Sequence, residues 1–86
     1  IFRLSAAYPN PFNPTTTLSF AMPVDSKVTL SIYNLQGREV SMLLDADMDA
    51  GYHSVTWNGD NYGSGIYFIK MIAGDYIDTQ KLMLIK

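Results

Sequence analysis

The sequence predicts an all-β fold, a seven-stranded immunoglobulin-like antiparallel β-sandwich. Segments that alternate apolar and polar side chains recur along the chain, Gly, Pro, Asn and Asp separate them, and no segment shows a helical period. A chain of 86 residues is expected to form a single domain, residues 1–86, with a small core. Because it contains no cysteine, its stability must come from apolar packing and from hydrogen bonds between strands.

The central strand of the predicted sandwich is residues 66–73, between Gly65 and Gly74. Large apolar side chains occupy both its odd and its even positions: Tyr67, Ile69 and Met71 on one face, and Ile66, Phe68 and Ile72 on the other. A strand with one exposed face would alternate apolar and polar residues, so we expect this strand to be covered on both sides.

The first three strands are predicted in chain order. Residues 1–4 form a short strand, and residues 15–22 and 28–33 alternate large apolar with small or polar side chains, as half-buried antiparallel strands do. Pro23 ends the second strand, and Gly37 supplies the backbone freedom for a hairpin after the third.

Two further strands, residues 38–44 and 52–57, are joined by a predicted loop over residues 45–51. Their alternation indicates which side chains share a face: Val40, Met42 and Leu44 in the first strand, and His53, Val55 and Trp57 in the second.

The last predicted strand is residues 76–86, which ends in the apolar run LMLI between Lys81 and Lys86. If this strand lies at a sheet edge, it offers unpaired backbone groups to another protein, and the lysines discourage indiscriminate pairing. The alternative is a closing strand that is buried like any other.

A proline-rich segment, YPNPFNP, occupies residues 8–14. Its three prolines remove three backbone donors and exclude a helix. We therefore predict a stiff, irregular crossing in which the ring of Phe12 plugs one end of the core, with direct ligand binding by the segment as the alternative.

Charge and chain ends limit the possible partners. The net charge is −2 and the basic residues are scattered, so the chain has no surface that could follow a phosphate backbone, and nucleic acid is not an expected partner. No apolar run is long enough for a membrane span. The first residue is Ile1 and no leader precedes it, so we expect the chain to be a piece of a longer protein.

Asp45, Asp47 and Asp49 place carboxylates at every second position, as calcium loops do at their start. Gly51 falls one place too late for the turn of such a loop, and Thr56 stands where a bidentate glutamate would close the site. These aspartates are candidates for a metal, but a solvated acidic turn accounts for them as well. No cofactor is expected.

Catalysis is not expected either. His53 is the only histidine, and Ser54, next to it in a strand, must point to the opposite face. A module of this size also lacks room for both a core and a substrate cleft. We therefore predict no catalytic residue and no enzyme activity.

Four tyrosines could form a platform on which sugars stack: Tyr33, Tyr52, Tyr62 and Tyr76. Trp57 and Tyr67 are instead expected in the core. The hydroxyl of Tyr67 could also tie an end loop of the sandwich, as a tyrosine does at the corner of immunoglobulin-like folds.

Five blocks of sequence, in one order, carry a family resemblance: YPNPFNPTTT at residues 8–17, VTLSIYNLQGREV at residues 28–40, Ala50 to Gly59 with His53, Val55 and Trp57, SGIYF at residues 64–68, and KLMLIK at residues 81–86. With these blocks the chain resembles, from about Leu4 onward, the type A C-terminal sorting domain of proteins exported by the type IX secretion system (the Por secretion C-terminal domain family).

The resemblance implies a secretion signal rather than a catalyst. Such a domain would follow an N-terminal cargo domain, fold in the periplasm in transit, and be recognised by an outer-membrane translocon and its shuttle protein. A gingipain-like sortase would then remove it, and the cargo would reach the cell surface or be secreted.

The resemblance also implies which residues the secretion machinery recognises: Pro9, Asn10, Pro11, Phe12, Asn13 and Pro14 of the proline-rich segment, Gly65 and Tyr67, and above all Lys81, Leu82, Met83, Leu84, Ile85 and Lys86. Two other functions remain open at this point. The chain could be an accessory β-sandwich that binds carbohydrate or calcium beside a catalytic domain, or a passive spacer.

Overall fold

The computed structural model describes residues 1–86 and contains seven strands and no helix. The strands are β1 (Arg3–Leu4), β2 (Thr15–Met22), β3 (Ser26–Asn34), β4 (Glu39–Met48), β5 (Gly51–Asn58), β6 (Gly65–Ala73) and β7 (Tyr76–Leu84). A three-stranded sheet has the order β1-β2-β5, and a four-stranded sheet has the order β4-β3-β6-β7. Every strand pair is antiparallel. The predicted seven-stranded antiparallel sandwich is therefore confirmed.

The core lies between the two sheets and holds 16 buried apolar residues. All of them except Ala7 and Phe12 come from alternate positions of the strands, as the two-residue period requires. Most of them belong to four strands: Leu18, Phe20 and Met22 of β2, Val28, Leu30 and Ile32 of β3, Tyr67, Ile69 and Met71 of β6, and Leu82 and Leu84 of β7. Full burial of one such large side chain stabilises the fold by about 1.5–3 kcal/mol.

Strand β6 is central within its sheet, between β3 and β7, as predicted. The prediction that it is covered on both sides is wrong. Ile66 and Phe68 are only half-buried, and Ile72 is 36% exposed. Phe68 lies directly between Tyr33 of β3 and Lys81 of β7, so its outer side is sheltered by neighbours in the same sheet and not by a further layer.

Strand β4 departs from the prediction in its face and in its length. Its pairing with β3 shifts register twice, which leaves Val40 and Leu43 as extra residues. Val40, Leu43 and Leu44 consequently pack against the core, whereas Met42 is 49% exposed, so the prediction that Met42 shares their face is wrong.

The predicted loop over residues 45–51 is also wrong in extent, because β4 continues to Met48 and β5 begins at Gly51. Gly51 has a φ of 129°, a conformation that favours glycine, at the point where the chain passes from one sheet to the other. The Ala50 N–H donates to the Asp25 carboxylate at 2.8 Å, which supports this short connection.

The inward face of β5 follows its predicted alternation. Trp57 is buried and His53 and Val55 are half-buried, while Ser54 is exposed on the opposite face. Strand β7 ends at Leu84, two residues before the end of the described chain. The structure contains no helix that is long and apolar enough to cross a membrane.

Candidate recognition site

The proline-rich segment crosses one end of the sandwich and bonds to both sheets. At its start, Tyr8 and Thr17 exchange backbone hydrogen bonds of 3.1 and 2.9 Å. At its centre, the Phe12 N–H donates to the Met83 carbonyl and the Phe12 carbonyl accepts from the Ile85 N–H, both at 2.9 Å. Phe12 thus forms a parallel bridge with Leu84 at the free edge of β7.

Asn10 extends this contact with its side chain. Its Nδ2 donates to the Lys81 carbonyl at 2.9 Å, and its Oδ1 accepts from the Met83 N–H at 3.0 Å. A proline has no N–H to donate, so between Pro9 and Pro11 the asparagine amide supplies the donor and the acceptor that a paired strand would offer. Asn10 and Phe12 together therefore satisfy the edge of β7 from Lys81 to Ile85.

The ring of Phe12 is 2% exposed and closes the end of the core, as predicted. It lies 5.5 Å from the Trp57 ring, and Trp57 in turn lies 5.4 Å from the rings of Tyr62 and Tyr67, measured between centroids. Tilted and edge-on contacts at these distances are favourable for aromatic rings. The four rings form one aromatic cluster beneath the proline-rich segment.

The loop between β5 and β6 is tied to this cluster by two hydroxyl groups. Tyr67 donates to the Gly63 carbonyl at 2.7 Å, which confirms the predicted tie of an end loop by Tyr67. Tyr62 donates to the Val40 carbonyl of β4 at 3.0 Å. Gly65, where β6 begins opposite Leu84, has a φ of 150°. Both recognition residues predicted on this loop and strand, Gly65 and Tyr67, therefore lie beside the last strand.

Gly59 allows the closest approach at this end of the molecule. A Cβ on Gly59 would lie 3.0 Å from Leu84 Cδ2 and 3.4 Å from Phe12 Cε2. The Gly59 N–H also donates to the Pro14 carbonyl at 2.7 Å. The absence of a side chain at Gly59 therefore lets the proline-rich segment, the loop and the last strand meet.

Two hydroxyl side chains that were not predicted from the sequence, those of Thr16 and Ser64, also hold this end together. The Thr16 hydroxyl, in a residue that is 1% exposed, donates to the Pro9 carbonyl at 2.7 Å. The Ser64 hydroxyl accepts from the Lys86 N–H at 3.0 Å, and the Lys86 ammonium donates to the Asp60 carbonyl. No sequence pattern could have revealed these contacts, because each depends on where the chain returns in space.

We call this assembly the terminal cluster and define it as residues 9–14, residues 57–65, Tyr67 and residues 81–86. It brings together every residue that the sequence analysis named for recognition by secretion machinery. Pro9, Pro11 and Asn13 are exposed on it, as are Lys81, Ile85 and Lys86, whereas Phe12, Leu82 and Leu84 are buried within it.

The candidate metal residues lie elsewhere and are not assembled. Asp45 and Asp47 project from β4, and the Asp45 carboxylate lies 3.4 Å from the Lys27 ammonium. Asp49 lies in the short connection after β4, where its carbonyl contacts His53 Nε2 at 2.7 Å. In the structure no group of three His, Cys, Asp or Glu side chains is placed to hold a metal ion.

The four candidate platform tyrosines do not share a surface. Tyr62 belongs to the aromatic cluster, Tyr52 is 91% exposed on the three-stranded sheet, and Tyr33 lies on the four-stranded sheet with the Lys70 ammonium 6.0 Å from its ring centroid. Tyr76 lies at the start of β7, opposite Ala73 and far along the strand from the terminal cluster.

Tyr76 is instead a structural residue at the far end of the sandwich. Its ring stacks on Phe2 at 5.4 Å, its hydroxyl accepts from the Leu4 N–H at 3.2 Å, and it donates to the Asp78 carboxylate at 3.1 Å. Burial raises the pKa of Tyr76 above its ordinary value of 10.0, and the neighbouring Asp78 raises it further.

The surface has two depressions, both on the outer face of the three-stranded sheet around Arg3, Ala21 and Tyr52. They lie toward the opposite end of β2 from the terminal cluster, because Ala21 pairs with Tyr52 whereas Thr15 pairs with Asn58. His53 borders one of them, with its ring stacked on Phe20 at 5.3 Å.

The fold and the candidate site define a class of protein, a small antiparallel β-sandwich module. Hydrogen bonds between the proline-rich segment and the final strand close one end of this module. Residues 6–86 match the family described as the secretion system C-terminal sorting domain, and the chain belongs to that family. It is a C-terminal sorting signal of type IX secretion, and domains of this family are not catalytic. Comparisons with curated proteins and with solved structures gave no match.

Proposed function

We propose that this domain directs a cargo through the type IX system by presenting the terminal cluster as a folded signal. The observation that carries the proposal is the bonding of β7 by Asn10 and Phe12. The proline-rich segment and the last strand are far apart in the sequence, and folding turns them into one surface. A receptor that reads both segments would therefore bind the folded domain and ignore an unfolded chain.

The partners follow from the family. We propose that the cargo precedes this domain in the same secreted chain, and that the domain folds in the periplasm before the outer-membrane translocon and its shuttle protein bind it. A gingipain-like sortase then cuts between cargo and domain. The domain acts as the substrate of that sortase and not as an enzyme, and the cargo ends on the cell surface or in the medium.

Side chains of the terminal cluster divide into two roles in this proposal. Asn10, Phe12, Leu82 and Leu84 shape the surface from within, because they are buried or bonded. The accessible side chains offer the contacts. Met83 is half-buried, and the others are exposed: Pro9, Pro11, Asn13, Lys81, Ile85 and Lys86. Gly65 and Tyr67 hold the loop that supports the last residues.

The test fuses the 86 residues to a periplasmic reporter in a host that has the type IX pathway, and measures the fraction of reporter on the cell surface. Deletion of Leu82 to Lys86 should abolish delivery. Because that deletion removes two core residues, a milder variant, Lys81→Ala with Lys86→Ala, keeps the buried leucines. Its matched control is Arg3→Ala with Arg38→Ala, two exposed residues outside the terminal cluster.

We expect the variant with both tail lysines replaced to be delivered less well than its control, while both remain folded. Unchanged delivery after deletion of Leu82 to Lys86 would refute the role of the tail. A passive spacer makes a different prediction, since its removal would change the melting temperature of the cargo but leave its location unchanged.

A further inference from the structure

The edge of the final strand is already occupied where it meets the proline-rich segment. The Lys81 carbonyl, the Met83 N–H and carbonyl, and the Ile85 N–H are all bonded to Asn10 or Phe12. A partner that reads this part of β7 cannot add a strand to it without first displacing the segment. The side chains that point away from the core remain accessible.

Those side chains belong to the outer face of the four-stranded sheet, which we define by its cross-strand neighbours. The rows across the face are Tyr33, Phe68 and Lys81; Ser31, Lys70 and Thr79; Thr29, Ile72 and Ile77; and Ile66 with Met83. Ile72 is 36% exposed and Ile77 is 60% exposed. These two isoleucines are direct cross-strand neighbours and form one exposed apolar patch, which the polar row of Lys70 and Thr79 separates from Phe68. An exposed apolar patch with a polar rim is typical of an interaction site.

Two unpaired lysines lie on one side of this outer face, and three carboxylates lie on the other side, where Lys27 of β3 neutralises part of their charge. Lys70 and Lys81 are diagonal neighbours on β6 and β7, and neither forms an ion pair. Glu39, Asp45 and Asp47 lie along β4 at the opposite edge, with only Asp45 paired, to Lys27. An anionic lipid surface would be attracted by one side and repelled by the other, whereas a protein surface can match both signs.

We infer that the outer face of the four-stranded sheet is a docking surface for a protein whose apolar contact area is bordered by carboxylates opposite Lys70 and Lys81. This inference rests on the proposed function, because it assigns the partner to the export machinery. It adds that the partner contacts the outward side chains of β7, β6 and β3 and does not pair with the backbone edge of β7.

The principal test is the surface fraction of the reporter fusion with Lys70→Glu, a change on the outer face but outside the terminal cluster. A control with Arg38→Glu changes the net charge equally but lies outside both surfaces. Like charges placed opposite each other in an interface are strongly unfavourable, so we expect delivery to fall about tenfold in the first variant and to stay within about twofold in the control.

A second pair of variants tests the apolar part of the face. Ile77→Ser removes apolar area that is 60% exposed on the outer face and should lower delivery. Its matched control is Val24→Ser, at a residue that is 56% exposed between β2 and β3, and delivery of this control should persist. Each purified variant must melt like the unchanged domain for its delivery to be counted.

The outcomes are distinguishable. Failure of the unchanged fusion to reach the surface would refute the proposed function and this inference together. Normal delivery of the Lys70→Glu variant, or an equal loss in Ile77→Ser and Val24→Ser, would overturn only the docking surface. If the unchanged domain co-sediments with vesicles of phosphatidylcholine and phosphatidylglycerol and the Lys70→Glu variant does not, the outer face binds a membrane, and this result would also overturn the inference.

Discussion

The side-chain amide of Asn10 accepts a hydrogen bond from the backbone N–H of Met83 at 3.0 Å, across 73 positions of sequence. The same amide donates to Lys81, so one asparagine stands in for a short strand at the edge of β7. This relationship explains why a segment rich in prolines, which cannot pair through its own backbone, can still close a β-sheet edge.

Replacing Asn10 should destabilise the domain more than replacing Asn13. Asn10→Ala removes both amide hydrogen bonds to β7. At about 0.5–1.5 kcal/mol for each bond, the free energy of unfolding should fall by about 1–3 kcal/mol. Asn13 is exposed and makes no side-chain hydrogen bond, so Asn13→Ala is the matched control within the same segment. Urea unfolding of both variants measures the difference, and equal midpoints would show that the amide bonds contribute nothing.

Removing the ring of Phe12 should have the largest effect at the terminal cluster. Phe12→Ala opens a cavity beside Trp57 and should cost about 3–5 kcal/mol, a large part of the stability of a small domain. The single tryptophan reports the change directly, because its ring lies 5.5 Å from Phe12. Tyr8→Ala, at a ring that is 81% exposed, is the control and should leave Trp57 fluorescence nearly unchanged.

Gly59 and Gly63 should respond differently to the same substitution. A Cβ on Gly59 meets Leu84 and Phe12, so Gly59→Ala should destabilise by about 1–3 kcal/mol through overpacking. Gly63 has nothing within 4 Å of the corresponding position. Thermal unfolding of the two variants provides the comparison, and a Gly59→Ala domain as stable as Gly63→Ala would contradict the close approach seen here.

Alkaline pH should weaken the far end of the sandwich through Tyr76. Its pKa in the folded state is raised above 10.0, first by burial, so the unfolded chain loses the Tyr76 proton at lower pH than the folded domain does. This contribution to stability is complete below pH 10.0 and is lost as the pH rises through the folded pKa. Melting temperatures across that range should fall less steeply in Tyr76→Phe. Identical slopes would remove Tyr76 as a source of the pH dependence.

Much of the fold follows from local pattern. The alternation of apolar and polar residues predicted the strands and the buried faces of β2, β3 and β5. The position of Phe12 among prolines predicted that its ring closes one end of the core. The errors arise where local pattern is insufficient. The bulges of β4 send Met42 outward and cannot be recognised from alternating residues, and they depend on the register with β3.

The candidate recognition residues were predicted from the family resemblance, whereas their spatial arrangement is visible only in the structure. Nothing in the sequence shows that the Asn10 amide reaches Lys81 and Met83, because side-chain bonding between distant segments depends on the complete fold. Ser64 and Thr16 were missed for the same reason, as isolated hydroxyl residues carry no positional signal.

The most direct test of the account is delivery of the reporter fusion when Asn10→Ala and Phe12→Ala are combined, with residues 81–86 kept intact. We expect the surface fraction to fall to the level of the Leu82 to Lys86 deletion, because the secretion machinery recognises the tail only as part of the folded terminal cluster. Delivery equal to that of the unchanged domain would show that the tail sequence suffices by itself, and would contradict the account.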